Sequence, residues 1–332
     1  MSMANTERLD PGAEFDAYFD AEIAPELEQI EGQRRILSAL IVVLLVLAGA
    51  GLLLFFLADW LTGVTGLDKD LFGFGGFGLM GIGGVGAVLT YRYAKAPLKE
   101  VLVGRTCNYL GLDYSHKKFD FPVDRFREAD VVGKHDKRKL EDRIAGTHDG
   151  VDLQLCEARL ERIERDENHL DDSDDNVEKK TVTVFEGLLL MCSFEKPFTA
   201  HTLVMSDATW LGNKLVGLSK RGERVTLEDP RFERAYEVYS EDQVEARFLL
   251  NPTFMERLTE LANRLGSARQ LVMAFNGHDL MLALRSNENR FEGGSIFKSY
   301  LEGGRERADE LFDELHLIHE VIDVLDLSSR NR

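Results

Sequence analysis

Two stretches near the start of the chain are built almost entirely from apolar side chains. Residues 36–60 read ILSALIVVLLVLAGAGLLLFFLADW, with Asp59 at the far end as the only ionisable group, and residues 71–91 read LFGFGGFGLMGIGGVGAVLTY with no charged residue. As helices, both can cross about 30 Å of hydrocarbon, which takes about 20 residues. The intervening LTGVTGLDKD, residues 61–70, is long enough to turn and too short to fold alone. The pattern predicts an antiparallel transmembrane hairpin. Ahead of it, Phe15, Phe19, Ile23, Leu27 and Ile30 recur at three and four residues on one helix face, opposite an acidic face, and Pro25 should break or restart that helix. This segment is expected to pack against the large domain.

After Lys99 the apolar residues come in alternating or short continuous runs. The stretches 151–160 (VDLQLCEARL), 181–194, 200–206 and 236–240 predict strands. QLVMAF and HDLMLAL flank Asn276-Gly277, which suits a type I′ hairpin turn, and Asp149-Gly150 precedes the first of the strands. An antiparallel sheet is implied. Asn251-Pro252 predicts an N-cap followed by a first-turn proline, with Phe254, Leu258, Leu261, Ala262 and Leu265 on one face. Residues 305–327 predict a long final helix in which Ala308, Leu311, Leu315, Ile318, Ile322 and Leu325 form a heptad seam. Phe312, Val321 and Val324 widen that face, so packing on the sheet is favoured over an intermolecular coiled coil. Residues 161–180 lack periodicity and are expected to form a mobile, solvated loop.

The predicted architecture is therefore a membrane-anchored α+β chain: a two-helix transmembrane hairpin, then a soluble domain with an antiparallel sheet and a long C-terminal helix. Its parts are an acidic amphipathic segment (1–35), spans at 36–60 and 71–91 around an extracytoplasmic turn (61–70), and a cytoplasmic domain (92–332). Arg34 and Arg35 precede the first span, and Arg92, Lys95 and Lys99 follow the second, whereas the turn offers only Lys69 between two aspartates. The positive-inside rule puts both termini in the cytoplasm of a multi-pass inner (plasma) membrane protein.

Glycine in the second span satisfies G-x-G-x-x-G twice, at 73–78 and 81–86. A dinucleotide site needs a preceding strand and an acidic ribose ligand, which an uncharged bilayer-length run cannot supply. Helix packing through small residues is the physical alternative. Gly75, Gly78, Gly81 and Gly84 recur every third residue, and Gly83 with Ala87 forms a small-xxx-small pair, serving contact within the hairpin or between copies in a homo-oligomer.

The net charge of −18 argues against nucleic-acid partners, whose phosphates demand clustered cations. Cys107, Cys156 and Cys192 show no C-x-x-C spacing and read as buried free thiols of a reducing compartment. Asp172, Asp174 and Asn176 open like a calcium loop, but Val177 and Thr183 stand where glycine and glutamate are required. His316 and His319 lie one helical turn apart without an identifiable third ligand. Catalytic motifs are absent from the sequence. It assigns no catalytic residue, no metal and no cofactor, and leans away from an enzyme.

Three stretches carry a family resemblance: Val184-Phe185-Glu186-Gly187-Leu188 with Ser193-Phe194-Glu195-Lys196-Pro197-Phe198, then FERAYEVYSEDQVEARFLLNPTFMERL (232–258), and FEGGSIF (291–297). Over roughly 119–327 the chain resembles the bacterial DUF3137 family. The resemblance implies an inner-membrane protein with two spans before the soluble part, and it supplies no activity. By themselves Phe185, Phe194 and Phe198 read as core, Gly187 as a bulge or close backbone approach, and Gly293-Gly294 as a turn. The expected function is a membrane-tethered protein-interaction or scaffold module, its partners the bilayer and an unidentified protein. A membrane-anchored enzyme, or a sensor working through the glycine-rich hairpin, are the alternatives.

Overall fold

The computed structural model describes residues 11–165, 179–206, 221–265, 270–286, 297 and 299–330. The chain divides into two compact units: residues 1–109 with 291–310, and residues 110–290 with 311–332. The loop expected at 161–180 is strand at its two ends, and its middle, with the calcium-like aspartates and Gly293-Gly294, lies outside the described residues.

The first unit is helical. Helix α1 (Pro11–Tyr18) passes through one π turn (Phe19–Ile23) into α2 (Ala24–Phe56), and after a break at Leu57 comes α3 (Ala58–Thr65). The π turn has a sequence cause. Pro25 has no N–H to give, and the buried residues Phe15, Phe19, Ile23 and Leu27 are four apart. In an α-helix each four-residue step overshoots a full turn by about 40°. A wider π turn takes back that drift and holds the stripe on one face. Ile30, expected on the stripe, is only half-buried, and Glu31 occupies the buried position instead.

Gly66, with φ +73°, caps α3, and α4 (Lys69–Tyr109) begins three residues later, so the turn is much tighter than residues 61–70. Helix α4 continues past the end of the apolar run and through Pro97; its 41 residues make about 62 Å, twice the hydrocarbon thickness. The unit boundary accordingly falls at Tyr109, where the helix ends, and not at Arg92, where the apolar run ends. The final helix, α9 (Tyr300–Arg330), gives its first turns to this unit and the remainder to the second.

The second unit is α+β. Its antiparallel sheet has the order β1-β2-β3-β4-β9-β8-β5-β7-β6 among the described residues. The strands are β1 (Asp113–Ser115), β2 (Lys137–His148), β3 (Val151–Arg165), β4 (Lys179–Ser193), β5 (Thr202–Ser206), β6 (Glu223–Arg224), β7 (Tyr236–Ser240), β8 (Leu271–Asn276) and β9 (Asp279–Arg285). The β8–β9 hairpin inserts between β4 and β5, so the central strands are covered on both faces. That explains why they read as continuous apolar runs and not as clean alternation. One face carries Cys156, Leu160, Phe185, Leu189, Met281 and Ala274 under a segment holding α5 (Val123–Glu128). Phe275, on the opposite face, meets Phe254 of α8 (Pro252–Arg264) at 5.9 Å between ring centroids. Two short helices, α6 (Pro230–Ala235) and α7 (Gln243–Leu249), flank β7.

The capping expected for α8 is present: Asn251 Oδ1 accepts the Phe254 N–H at 3.0 Å. The seam of α9 is buried from Ala308 to Leu325 within the single chain. The turns correct one expectation. Asn276 pairs with Asp279, leaving Gly277 (φ +60°) and His278 as the turn, which matches a type II′ hairpin. The type I′ sign pattern sits at Asp149 (φ +47°) and Gly150 (φ +84°), between paired His148 and Val151.

Candidate functional site

The first unit contains two helices long and apolar enough to cross a membrane, by length and composition. They run antiparallel: Gly51 meets Gly76 and Met80, and further down Leu44 and Ala48 meet Gly83. At Gly76 an added Cβ would lie 2.6 Å from the Gly51 carbonyl oxygen and 2.8 Å from the Phe55 nitrogen, so the contact is backbone on backbone. Ile41, Ala87 and Ala94 continue it as a small buried cluster with Leu37 and Leu44 against it. On α2 the seam is Leu37, Ile41, Leu44, Ala48 and Gly51; on α4 it is Gly76, Met80, Gly83 and Ala87. Both step by four and three, the coiled-coil repeat.

This places the glycines singled out in the sequence. Gly83 and Ala87 lie on the seam. Gly75 has only Leu54 nearby, at 3.8 Å from a built Cβ, and Gly78, Gly81 and Gly84 have nothing within 4 Å. A three-residue spacing falls short of a turn by about 60° per step, so such a row winds off any straight interface. Gly51 and Gly76 make the closest approach and are found by the heptad step, not by counting glycines. Outside the seam the large side chains point outward, Phe56 and Phe74 being 73% and 78% exposed.

Below the apolar stretch the first unit closes in a polar collar. Glu31 accepts hydrogen bonds from Arg34 at 2.8 and 2.6 Å and from the Tyr300 backbone N–H at 3.2 Å, while the Tyr300 hydroxyl donates to the Ala94 carbonyl at 3.0 Å. Arg105 pairs with Glu26, and Arg305 with Asp16 and Asp20 while lying over the Phe19 ring. Of the cations that flank the apolar runs, Arg34 is half-buried in this collar, Arg35 and Arg92 are exposed, and Lys99 is buried; Lys95 lies within α4.

The hydrogen bonds from Arg34 hold Glu31 at about 2, below its ordinary 4.5, against the opposing effect of burial. A carboxyl lowered on folding stabilises the fold above its unfolded pKa and loses that contribution as pH falls toward the folded value. At about 1.4 kcal/mol per unit, a fall from 4.5 to about 2 is worth about 3 kcal/mol. Glu31→Gln should lower stability at neutral pH by about 3 kcal/mol, because the half-buried Arg34 is left without its counter-charge. In thermal melts from pH 7 to pH 2, the gap between variant and wild type should close below pH 4.5; a constant gap would contradict the assignment.

Cys107, of the first unit, and Cys156 and Cys192 are buried and unbonded, and burial pushes their thiols up, Cys192 to about 12, which makes them poor nucleophiles. Asp142 sits buried at the β2 bulge with φ +57°, accepting from the Tyr114 hydroxyl at 2.6 Å and facing His116 Nδ1 at 2.8 Å. Asp279 is buried between Ser193 and Arg125. At the tip of the β2–β3 hairpin, His148 Nε2 lies 2.7 Å from Asp323 Oδ1 of α9, and the His148 ring stacks on His319 at 4.0 Å. Burial, then His148 and His316, push His319 down to about 4. His316 stacks instead on Phe312.

Comparison with known proteins identifies the part of the chain that holds β4 to α9. Residues 183–327 match DUF3137, a family of proteins of unknown function. The DUF3137 match starts later than the stretch from 119 that the sequence suggested, and it opens inside a hairpin, since β4 pairs with β3 along its length. The family boundary is therefore not a structural boundary. The crystal structure of the mycobacterial trehalose monomycolate transport factor A, TtfA, is similar at 12% identity and a TM-score of 0.32, covering 67% of this chain and 96% of that one. No curated protein matches the chain.

Proposed function

We propose that this chain is a membrane-tethered scaffold, in which residues 36–60 and 71–91 span a bacterial inner membrane as a hairpin and the α+β unit engages a protein partner on the cytoplasmic side. The observation that carries the tether is the outward display of large apolar side chains along both helices, from Ile36 to Phe56 and from Leu71 to Leu89. Each such side chain left in water forfeits about 1.5–3 kcal/mol, which sums to tens of kcal/mol. Hydrocarbon removes that penalty, while the seam satisfies the helices' need for close contact where lipid gives no hydrophobic drive between them.

Orientation is supported by the exposed Arg35 and Arg92 beside the collar, and by the turn, where the single lysine, Lys69, is paired with Asp59 at 2.7 Å. Trp60 at one end and Tyr91 and Tyr93 at the other are exposed, as interfacial aromatic belts require. A scaffold is favoured over an enzyme because the buried carboxylates Glu31, Asp142 and Asp279 are each held by hydrogen bonds or an ion pair and the thiols are held protonated.

The chain should stay in the membrane pellet after alkaline carbonate washing. Alkaline phosphatase inserted at Thr65 should be active and the same fusion at the C-terminus inactive. Release by carbonate would remove the tether, and the reverse activity pattern would invert the topology. In-membrane crosslinking of the full chain should trap one protein in stoichiometric yield; turnover of a small molecule without any trapped protein would overturn the scaffold reading.

A further inference from the structure

The second unit gathers His148, Asp149 and Asp323 at one point: His148 and Asp149 from the tip of the β2–β3 hairpin, Asp323 from α9. One ligand atom from each lies within 4.8 Å of the others. A tetrahedral ion with bonds of about 2.0–2.1 Å holds its ligands about 3.3 Å apart, so side-chain adjustments of an ångström close the set. We propose that these three residues form a binding site for a divalent first-row transition metal ion of the zinc class.

Four features of the geometry point the same way. An imidazole with two carboxylates suits zinc, cobalt or manganese better than magnesium or calcium, which prefer all-oxygen shells. His148 Nε2, the nitrogen that would ligate, is already turned to Asp323 at 2.7 Å. The ring of His319 lies flat on His148, 4.0 Å between centroids and 7° between planes. The stack holds the His148 ring in that orientation. His319 is itself 7% exposed, and its buried Nε2 has no hydrogen-bond partner among the described residues, leaving a nitrogen donor beside the cluster.

The rival explanation is a plain ion pair tying the hairpin tip to α9. Asp149 separates the two. It takes no part in the His148–Asp323 pair, so the pair has no use for its carboxylate, whereas the metal site does. Asparagine tolerates the left-handed backbone that Asp149 adopts, so Asp149→Asn leaves the turn intact.

The test uses the full chain in detergent, stripped of metal, titrated with cobalt(II) and followed by visible absorption, with zinc(II) as competitor. One equivalent of cobalt should bind with the intense spectrum of a four-coordinate ion and be displaced by zinc. Zinc at 100 times its Kd should shift the unfolding equilibrium about 100-fold toward the folded state. Asp149→Asn should weaken binding at least tenfold with the metal-free melting temperature unchanged, and Asp323→Asn should abolish it. Absence of cobalt binding, an adventitious surface ion only, or wild-type affinity in either variant overturns the site. None of these outcomes bears on membrane tethering, which rests on the first unit.

Discussion

Gly76→Leu should force α2 and α4 apart and cost the hairpin about 3 kcal/mol or more. The built Cβ position lies 2.6 Å from one backbone oxygen, 2.8 Å from a backbone nitrogen and 3.2 Å from a Cα, and backbone cannot step aside as a side chain can. Overpacking of this kind costs about 1–3 kcal/mol even where neighbours can relax. Gly78→Leu and Gly81→Leu are the matched controls, since nothing lies within 4 Å of either position, and each should change stability by under about 0.5 kcal/mol. Thermal unfolding of the three variants in the same detergent decides the matter. Equal melting temperatures for Gly76→Leu and Gly81→Leu would show that the seam is misplaced. A loss at Gly81 instead would mean that the open glycine row packs against another copy.

The second large effect is expected at Gly187→Ala. Gly187 adopts φ +147°, a region L-residues rarely enter, and an added Cβ would lie 2.7 Å from the Ser286 nitrogen, 2.8 Å from the Arg285 Cα and closer still to the Leu284 carbonyl. Backbone strain of about 1–3 kcal/mol adds to a clash of similar size, giving about 3–5 kcal/mol against a typical domain stability of about 5–15 kcal/mol. The damage falls where β4 pairs with β9, at the Gly187–Arg285 register. Amide hydrogen exchange should show lost protection in β4 and β9 while the helices of the first unit stay protected. Unchanged protection in both strands would mean that the backbone at this position is not as described.

These two glycines show how unevenly the sequence reveals the structure. Gly187 was readable as a close approach because it interrupts a strongly β-forming run. Gly76 was one of many glycines in its helix, and the eye-catching row at Gly75, Gly78, Gly81 and Gly84 winds away from the partner helix. Strand β2 was missed altogether. Its Leu140 and Ile144 are separated by the bulge at Asp142, which breaks the two-residue alternation, and most of its other residues are charged. Short β1 and β6 carry too few residues to show any period. At Asn276-Gly277 the hairpin was legible but not its turn type, because pairing of Asn276 with Asp279 shifts the turn by one residue. The buried position of Glu31, one residue past the expected Ile30, follows from Arg34 and the Tyr300 N–H, the latter from a segment far along the chain.

The sequence by itself determined which segments are apolar enough for a bilayer, the amphipathic faces of α1, α8 and α9, the capping of α8 and six of the sheet's strands. All of these are local: a period of 2, 3.5 or 3.6 and a cap are written in neighbouring residues. Only the tertiary structure decided which helix face meets which, that β8 and β9 insert between β4 and β5, and that His148 and Asp149 meet Asp323. Periodicity says that a face must be covered but carries no address for what covers it, since many partners would bury the same apolar area. The address is set by how the whole chain closes.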